Sequence, residues 1–269
     1  MANLPSFLVI LITINALAIT LEAGCNKPAL FPFGDSYLES VGLAQQLKNF
    51  KDEIKNLTRA LGSNAAKKIV SNAVYLISLG ASDFISPFTL NVTIPDEQQY
   101  VNMMIGNLST VFDTIYDLGG RKFAWLNVLN LACAPGLKAV NKENGCLKKA
   151  SEIVGLYNEA LKTLLSDKEK SLDGSRIVLF DLASGVAKMT AEPTIYGFEE
   201  AESACCGSGN SNGIFSCGRI PEHYNLCPNA SDHVFFDSFH PTGNAYEQIT
   251  KEIWNQRNGG VKKLFDCLG

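Results

Sequence analysis

The sequence has little net charge of either sign: 23 lysines and arginines against 27 aspartates and glutamates leave a formal −4. That balance gives no ground for expecting nucleic acid or an anionic membrane surface as a partner, since both select basic patches. No run of like charge is long enough to form a tail. Beyond residue 21 no apolar run is long enough to cross a bilayer, so no membrane span is expected downstream. Histidine is scarce, with three residues at positions 223, 233 and 240, so any imidazole chemistry must come from one of them. Regular zinc-ligand spacing is also missing. A site built from Cys205, Cys217, Cys227 and His223 matches no regular pattern, and the cysteines read as structural, with no metal or cofactor implied.

What is present fits one globular domain. A chain of 269 residues with 46% hydrophobic content can bury a sizeable core. Pro5 to Leu21 is apolar and leads into Glu22-Ala23-Gly24, which predicts a signal peptide over residues 1–23, lacking the usual basic start, and a single domain over 24–269. Eight cysteines fit an oxidising compartment. So do four Asn-x-Ser/Thr sequons, at Asn56, Asn91, Asn107 and Asn229, and together they predict a secreted glycoprotein. Cys133 and Cys146 enclose one loop and are plausible partners, while Cys205, Cys206, Cys217 and Cys227 crowd a stretch that two bridges could staple, with the pairing open. Cys25 and Cys267 could pair or stay free.

The middle of the chain alternates short apolar runs with amphipathic helical patterns. Leu43, Leu47, Phe50, Ile54, Leu57 and Leu61 recur by four and three, as on one face of a helix. Val74 to Leu79, Phe123 to Val128 and Ile177 to Phe180 have strand length, and a helical pattern from Ile153 through Leu165 separates the last two. Such alternation predicts a parallel sheet with helices on both faces, whose site lies outside the carboxyl ends of the strands.

Two stretches carry chemistry. Phe33-Gly34-Asp35-Ser36 follows the apolar run Ala29 to Phe33, at a predicted strand-to-helix turn. A serine there projects its hydroxyl from the strand end, and its own N–H at a helix N-terminus can face a developing oxyanion. Ser36 could equally be a helix cap, and Asp35 a turn former. The second stretch is Phe236-Asp237-Ser238-Phe239-His240-Pro241-Thr242. Asp237, three residues before His240, can orient its imidazole, and a histidine so held is the base a serine nucleophile needs. Without Ser36 the pair would read as a turn. His223 and His233 read as solvated loop histidines.

With both stretches in view, the chain resembles the plant GDSL esterase/lipase family, a branch of the SGNH hydrolases. Ala29 to Ser36 resembles the first family block, Ala73 to Asp83 the third, and Asp237 to His240 the Asp-x-x-His block. Tyr196-Gly197-Phe198, Ala204 to Gly209 and Gly213 to Gly218 are similar too. The resemblance implies a three-layer α/β/α fold of flavodoxin-like type with a central parallel sheet. It also implies a secreted, extracellular serine esterase or lipase of the apoplast or cell wall, acting on small-molecule or lipid esters through an acyl-enzyme. Ser36, Asp237 and His240 would be its triad.

Two departures bear on the oxyanion hole, which in the family takes the nucleophile N–H, a second-block glycine N–H and the asparagine of Gly-x-Asn-Asp. Here the last block reads Gly80-Ala81-Ser82-Asp83, leaving Ser36 and Ser82 as the oxyanion candidates. The second block has no counterpart: Tyr37-Leu38-Glu39-Ser40-Val41-Gly42 runs straight into the helix at Leu43, so the sheet is expected to be incomplete at one edge. A shortened gene product and a reduced paralogue explain this equally. The rival to the enzyme is a catalytically weakened or inactive glycoprotein that binds an acylated ligand or a protein.

Overall fold

A computed structural model describes residues 28–35, 42–141, 145–219, 223–255 and 264. The segment read as a signal peptide, and with it Cys25, Cys267 and Ser36, lies outside the described residues. The centre is a parallel four-stranded sheet in the order β1 (Leu30–Gly34), β2 (Val74–Ser78), β3 (Lys122–Leu126) and β4 (Arg176–Phe180). Register pairs Leu30 with Val74, Val74 with Lys122 and Lys122 with Arg176, so the four strands start and end nearly level. The four apolar runs read from the sequence are these strands, to within two residues at each end.

Alternation along the strands sorts side chains to two faces. Phe31, Phe33, Tyr75, Ile77, Phe123 and Trp125 enter the large core, and Val74, Ala124 and Phe180 join a smaller cluster on the other face with Leu264. The large core is an aromatic row: Phe31 stacks on Tyr75 at 5.6 Å, Tyr75 meets Phe123 at 5.5 Å, and Phe112 stacks on Phe123 at 4.1 Å. Phe50 meets Phe31 edge-on at 5.1 Å, and aromatic pairs in such geometry contribute about 0.5–1.5 kcal/mol beyond their buried area.

Helices α1 (Leu43–Leu61) and α2 (Ser63–Asn72) lie between β1 and β2, followed after β2 by α3 (Ala81–Thr89) and α4 (Glu97–Asp117). After β3 come α5 (Pro135–Val140) and α6 (Lys148–Ser171), and after β4 comes α7 (Leu182–Ala191). The spacing read over 43–61 is indeed one helix, but its apolar stripe fades: Phe50 is buried, whereas Leu61 is exposed. α4 places Val101, Met104, Leu108, Val111, Phe112 and Ile115 in the core at helical spacing.

The chain closes with a smaller lobe. β5 (Glu200–Ala204) pairs in parallel with β8 (His233–Phe235), and β6 (Cys206–Gly207) pairs antiparallel with β7 (Asn225–Leu226), before α8 (Gly243–Asn255). Disulfides Cys205–Cys227 and Cys206–Cys217 staple this lobe, and Cys133–Cys146 ties the turn before α5 to the segment before α6, enclosing α5. These bridges use the cysteines that a zinc site would need. Among the described residues no helix is long and apolar enough to cross a membrane.

β1 is the edge strand among the described residues. Val74 N–H bonds Ala29 and Asp35 N–H bonds Ser78, so Leu30, Pro32 and Gly34 turn their backbone groups outward. Proline offers no donor there, and Gly34 is met by the side chain of Gln46. Edge strands are commonly blunted in this way.

Candidate active site

The Asp-x-x-His stretch forms a compact turn after β8. Phe236 N–H bonds the His240 carbonyl at 2.7 Å, and Thr242 N–H returns to Val234. Thr242 is buried; its hydroxyl donates to the His233 carbonyl at 2.7 Å and accepts from Ala245 N–H, which fixes the start of α8. The other side of the turn rests on α5. Gly136 N–H bonds the Ser238 carbonyl at 2.8 Å, and a Cβ at Gly136 would lie 2.4 Å from the Phe239 ring, so only glycine permits this approach.

Inside this turn the Asp237 carboxylate contacts His240 Nδ1 through both oxygens, at 2.8 and 2.9 Å. Asp237 Oδ1 also accepts the backbone N–H groups of Phe239 and His240. Burial alone would raise the Asp237 carboxyl, but the His240 bond and the two amides outweigh it and lower the pKa. For His240 the bond to Asp237 comes first, burial opposes it, and the charges of Asp237 and Asp35 add to it; the net shift is upward from 6.5. The bond at Nδ1 selects the tautomer that leaves Nε2 as the acceptor.

The second half of the site joins the carboxyl ends of β1 and β2. Asp35 reaches across to α3, where its Oδ2 accepts the Ser82 N–H at 3.2 Å. Asp35, the neighbour of Ser36 in sequence, thus meets the loop after Leu79 and does more than support its own turn. The backbone N–H of Ser82 is therefore spent on Asp35, which leaves the hydroxyl as its remaining donor.

Tyr157 on α6, wholly buried, donates to the Leu79 carbonyl at 2.7 Å beneath the same loop. Gly80 takes a left-handed φ of 111°, and a Cβ there would meet the Tyr157 hydroxyl at 3.0 Å. Asp83 keeps a solvent-facing edge, yet the protein mass around its carboxyl, and then the Asp35 charge, raise its pKa.

Tyr157 could not be assigned from sequence, because it lies 78 positions from its partner within an ordinary helical pattern. His223 is exposed as expected. His233 is not a solvated loop residue: it opens β8 and is half-buried, with its Nδ1 shut off from solvent. Among the described residues no group of His, Cys, Asp and Glu is placed to hold a metal ion.

Residues 34–253 match the family model described as GDSL-like lipase/acylhydrolase. Among curated proteins, the chain is 41% identical over 221 residues to GDSL esterase/lipase 5 of Arabidopsis thaliana, covering 80% of this chain and 57% of that protein. It is 39% identical to a GDSL lipase of Tanacetum cinerariifolium, covering 80% and 58%. With GDSL esterase/lipase 2 of Arabidopsis thaliana the identity is 35%, covering 86% and 67%. The chain thus spans about three fifths of the length of the curated relatives it matches. The matched stretch takes in both the Gly-Asp-Ser turn and the Asp237–His240 pair, and the chain belongs to the GDSL-like lipase/acylhydrolase family.

Proposed function

We propose that this protein is an exported serine esterase that hydrolyses carboxylic esters through an acyl-enzyme on Ser36. The observation that carries the proposal is the bidentate hold of Asp237 on His240 Nδ1, in a site where the charge of Asp35, the neighbour of Ser36, is felt at His240. Ser36 Oγ attacks the ester carbonyl carbon while His240 Nε2 takes its proton. The tetrahedral intermediate collapses, the C–O bond to the alcohol breaks, and His240 returns the proton to the departing oxygen. Water then repeats the sequence on the acyl-enzyme and releases the acid. Asp237 holds the imidazole and stabilises its cationic form. The Ser36 N–H and the Ser82 hydroxyl serve as oxyanion donors, a set smaller than two or three strong donors would be, and each lost donor costs a factor of about 10²–10³ in turnover.

Export is supported by the apolar N-terminus over residues 1–23, by three disulfides and by the exposure of Asn56, Asn91, Asn107 and Asn229. The place of action proposed is extracellular, in the apoplast or cell wall. The test is labelling of the folded, secreted protein with a fluorophosphonate probe beside Ser36→Ala, followed by hydrolysis of short-chain p-nitrophenyl esters. Labelling confined to the parent, with turnover above the variant, supports the esterase. A soluble, correctly bridged protein that neither labels nor turns over is instead the binding glycoprotein.

A further inference from the structure

Several exposed apolar side chains on the α3–α4 side of the molecule have no place in either core. Leu90 is 72% exposed, Val92 58% and Met103 55%. They come from separate pieces of chain yet rim one depression of about 660 Å3, floored by Pro87 and Ile94. Met103 lies off the stripe by which α4 enters the core, a stripe that runs through Val101, Met104 and Leu108. Asn91 takes a left-handed φ of 54°, and the Val92 N–H turns back to the Pro87 carbonyl at 2.7 Å, which sets Leu90 and Val92 on the rim. The volume falls within the range of small-molecule sites, about 300–1,000 Å3.

Two features say what the depression takes. Its wall begins at Ser82 and Asp83, the turn that Asp35 anchors beside the nucleophile, so it continues outward from the catalytic end of the sheet. Among the described residues that line it the charged ones are acidic, Asp83 and Asp96, and none is basic. A phosphate, a sulfate or a free carboxylate would meet these two carboxylates with no cation to offset them, whereas a neutral hydrocarbon chain meets no charge penalty along the Leu90–Val92–Met103 rim. We propose that the α3–α4 depression binds the apolar chain of a neutral ester, a chain of medium length whose ester end lies toward Ser82. This rests on the esterase reading of the same site and adds its substrate class.

The experiment has a binding part and a turnover part, both with the full chain. In the Ser36→Ala background, the neutral fluorophore N-phenyl-1-naphthylamine is bound and displaced with octan-1-ol. Leu90→Glu and Met103→Glu are expected to weaken both ligands by about tenfold or more, while Ile195→Glu, at an apolar residue equally exposed elsewhere, leaves them unchanged. Circular dichroism and intact disulfides confirm the fold of each variant. Equal binding by all three variants overturns the site. So does a dimer in light scattering that Leu90→Glu dissolves while octan-1-ol does not bind, because a second copy would then be the occupant.

In the turnover part, kcat/KM is followed along methyl esters of lengthening acids and along acetates of lengthening alcohols. A rise of about two- to fourfold per methylene in one series, flattened by Met103→Glu, supports the proposal and shows which side of the ester is held. Flat profiles in both series overturn it. If no ester is turned over, the esterase reading fails, and octanol binding alone decides the depression.

Discussion

Gln46 on α1 lays its amide along Gly34 of β1 in both directions: Gly34 N–H donates to Gln46 Oε1 at 2.9 Å, and Gln46 Nε2 donates to the Gly34 carbonyl at 2.5 Å. The side chain does what a neighbouring strand would do at that position. Both partners are buried, so neither backbone group has water to fall back on. Gln46→Ala orphans an N–H and a C=O at about 1–3 kcal/mol each, so we expect a loss of about 2–6 kcal/mol in urea unfolding. Gln46→Glu keeps the acceptor but sets a carboxylate against the Gly34 carbonyl in a buried place, and should cost at least as much. A loss below about 0.5 kcal/mol for Gln46→Ala would mean that the edge is satisfied by other means.

This pairing marks where sequence reading stopped. The stripe from Leu43 to Leu57 was legible because apolar spacing reports a helix face. Gln46 lies on that face, three positions after Leu43 and four before Phe50, but a glutamine there has no signature until its partner is known. The strands were legible for a similar reason: parallel strands buried on both faces read as continuous apolar runs, and Val74 to Leu79 and Phe123 to Val128 are largely such runs. Asp237 and His240 were legible because they lie only three positions apart. Asp35 with Ser82 and Tyr157 with Leu79 join positions 47 and 78 apart, and such contacts follow only from the closed sheet.

The upward shift of His240 sets a pH profile. Below its pKa the imidazole is protonated and cannot accept the Ser36 proton, so kcat/KM should fall on acidification, with the midpoint above the ordinary 6.5. In Asp237→Asn the largest cause of the shift is gone. The midpoint should then move to lower pH while kcat falls by about 10²–10⁴-fold, the usual scale of general acid–base catalysis. Profiles of parent and variant on a soluble short-chain ester decide this. An acid limb that stays in place in Asp237→Asn would assign it to another group.

The disulfide lobe should matter to catalysis as well as to stability. Cys205 N–H bonds the Phe235 carbonyl at 3.0 Å and Cys206 N–H the Phe236 carbonyl at 2.7 Å, immediately before Asp237. Cys205–Cys227 closes 22 residues, which in the chain-entropy view is worth about 3 kcal/mol. Replacing both cysteines by alanine is expected to lower stability by about that amount and to reduce kcat even where the protein remains folded. Replacing Cys133 and Cys146 by alanine opens a loop of only 13 residues and should cost less stability, but that loop carries α5, whose Gly136 braces the same turn, so some activity should be lost here too. Thermal unfolding and turnover, measured together on both double variants, separate the two effects.

Ser82 offers the sharpest test of the proposed oxyanion hole. Its N–H is committed to Asp35, and this leaves a short hydroxyl as the side-chain donor. An asparagine carries a longer side chain with two N–H donors, and the backbone bond to Asp35 does not depend on which side chain is present. Ser82→Asn should therefore raise kcat, by up to about 10²-fold if a full oxyanion donor is restored, with a smaller change in KM, because the interaction forms mainly with the tetrahedral intermediate. Ser82→Ala should lower kcat by less than the removal of a strong donor does. If Ser82→Asn leaves kcat unchanged while the protein still labels with fluorophosphonate, position 82 does not face the oxyanion, and the Ser36 N–H carries that role without it.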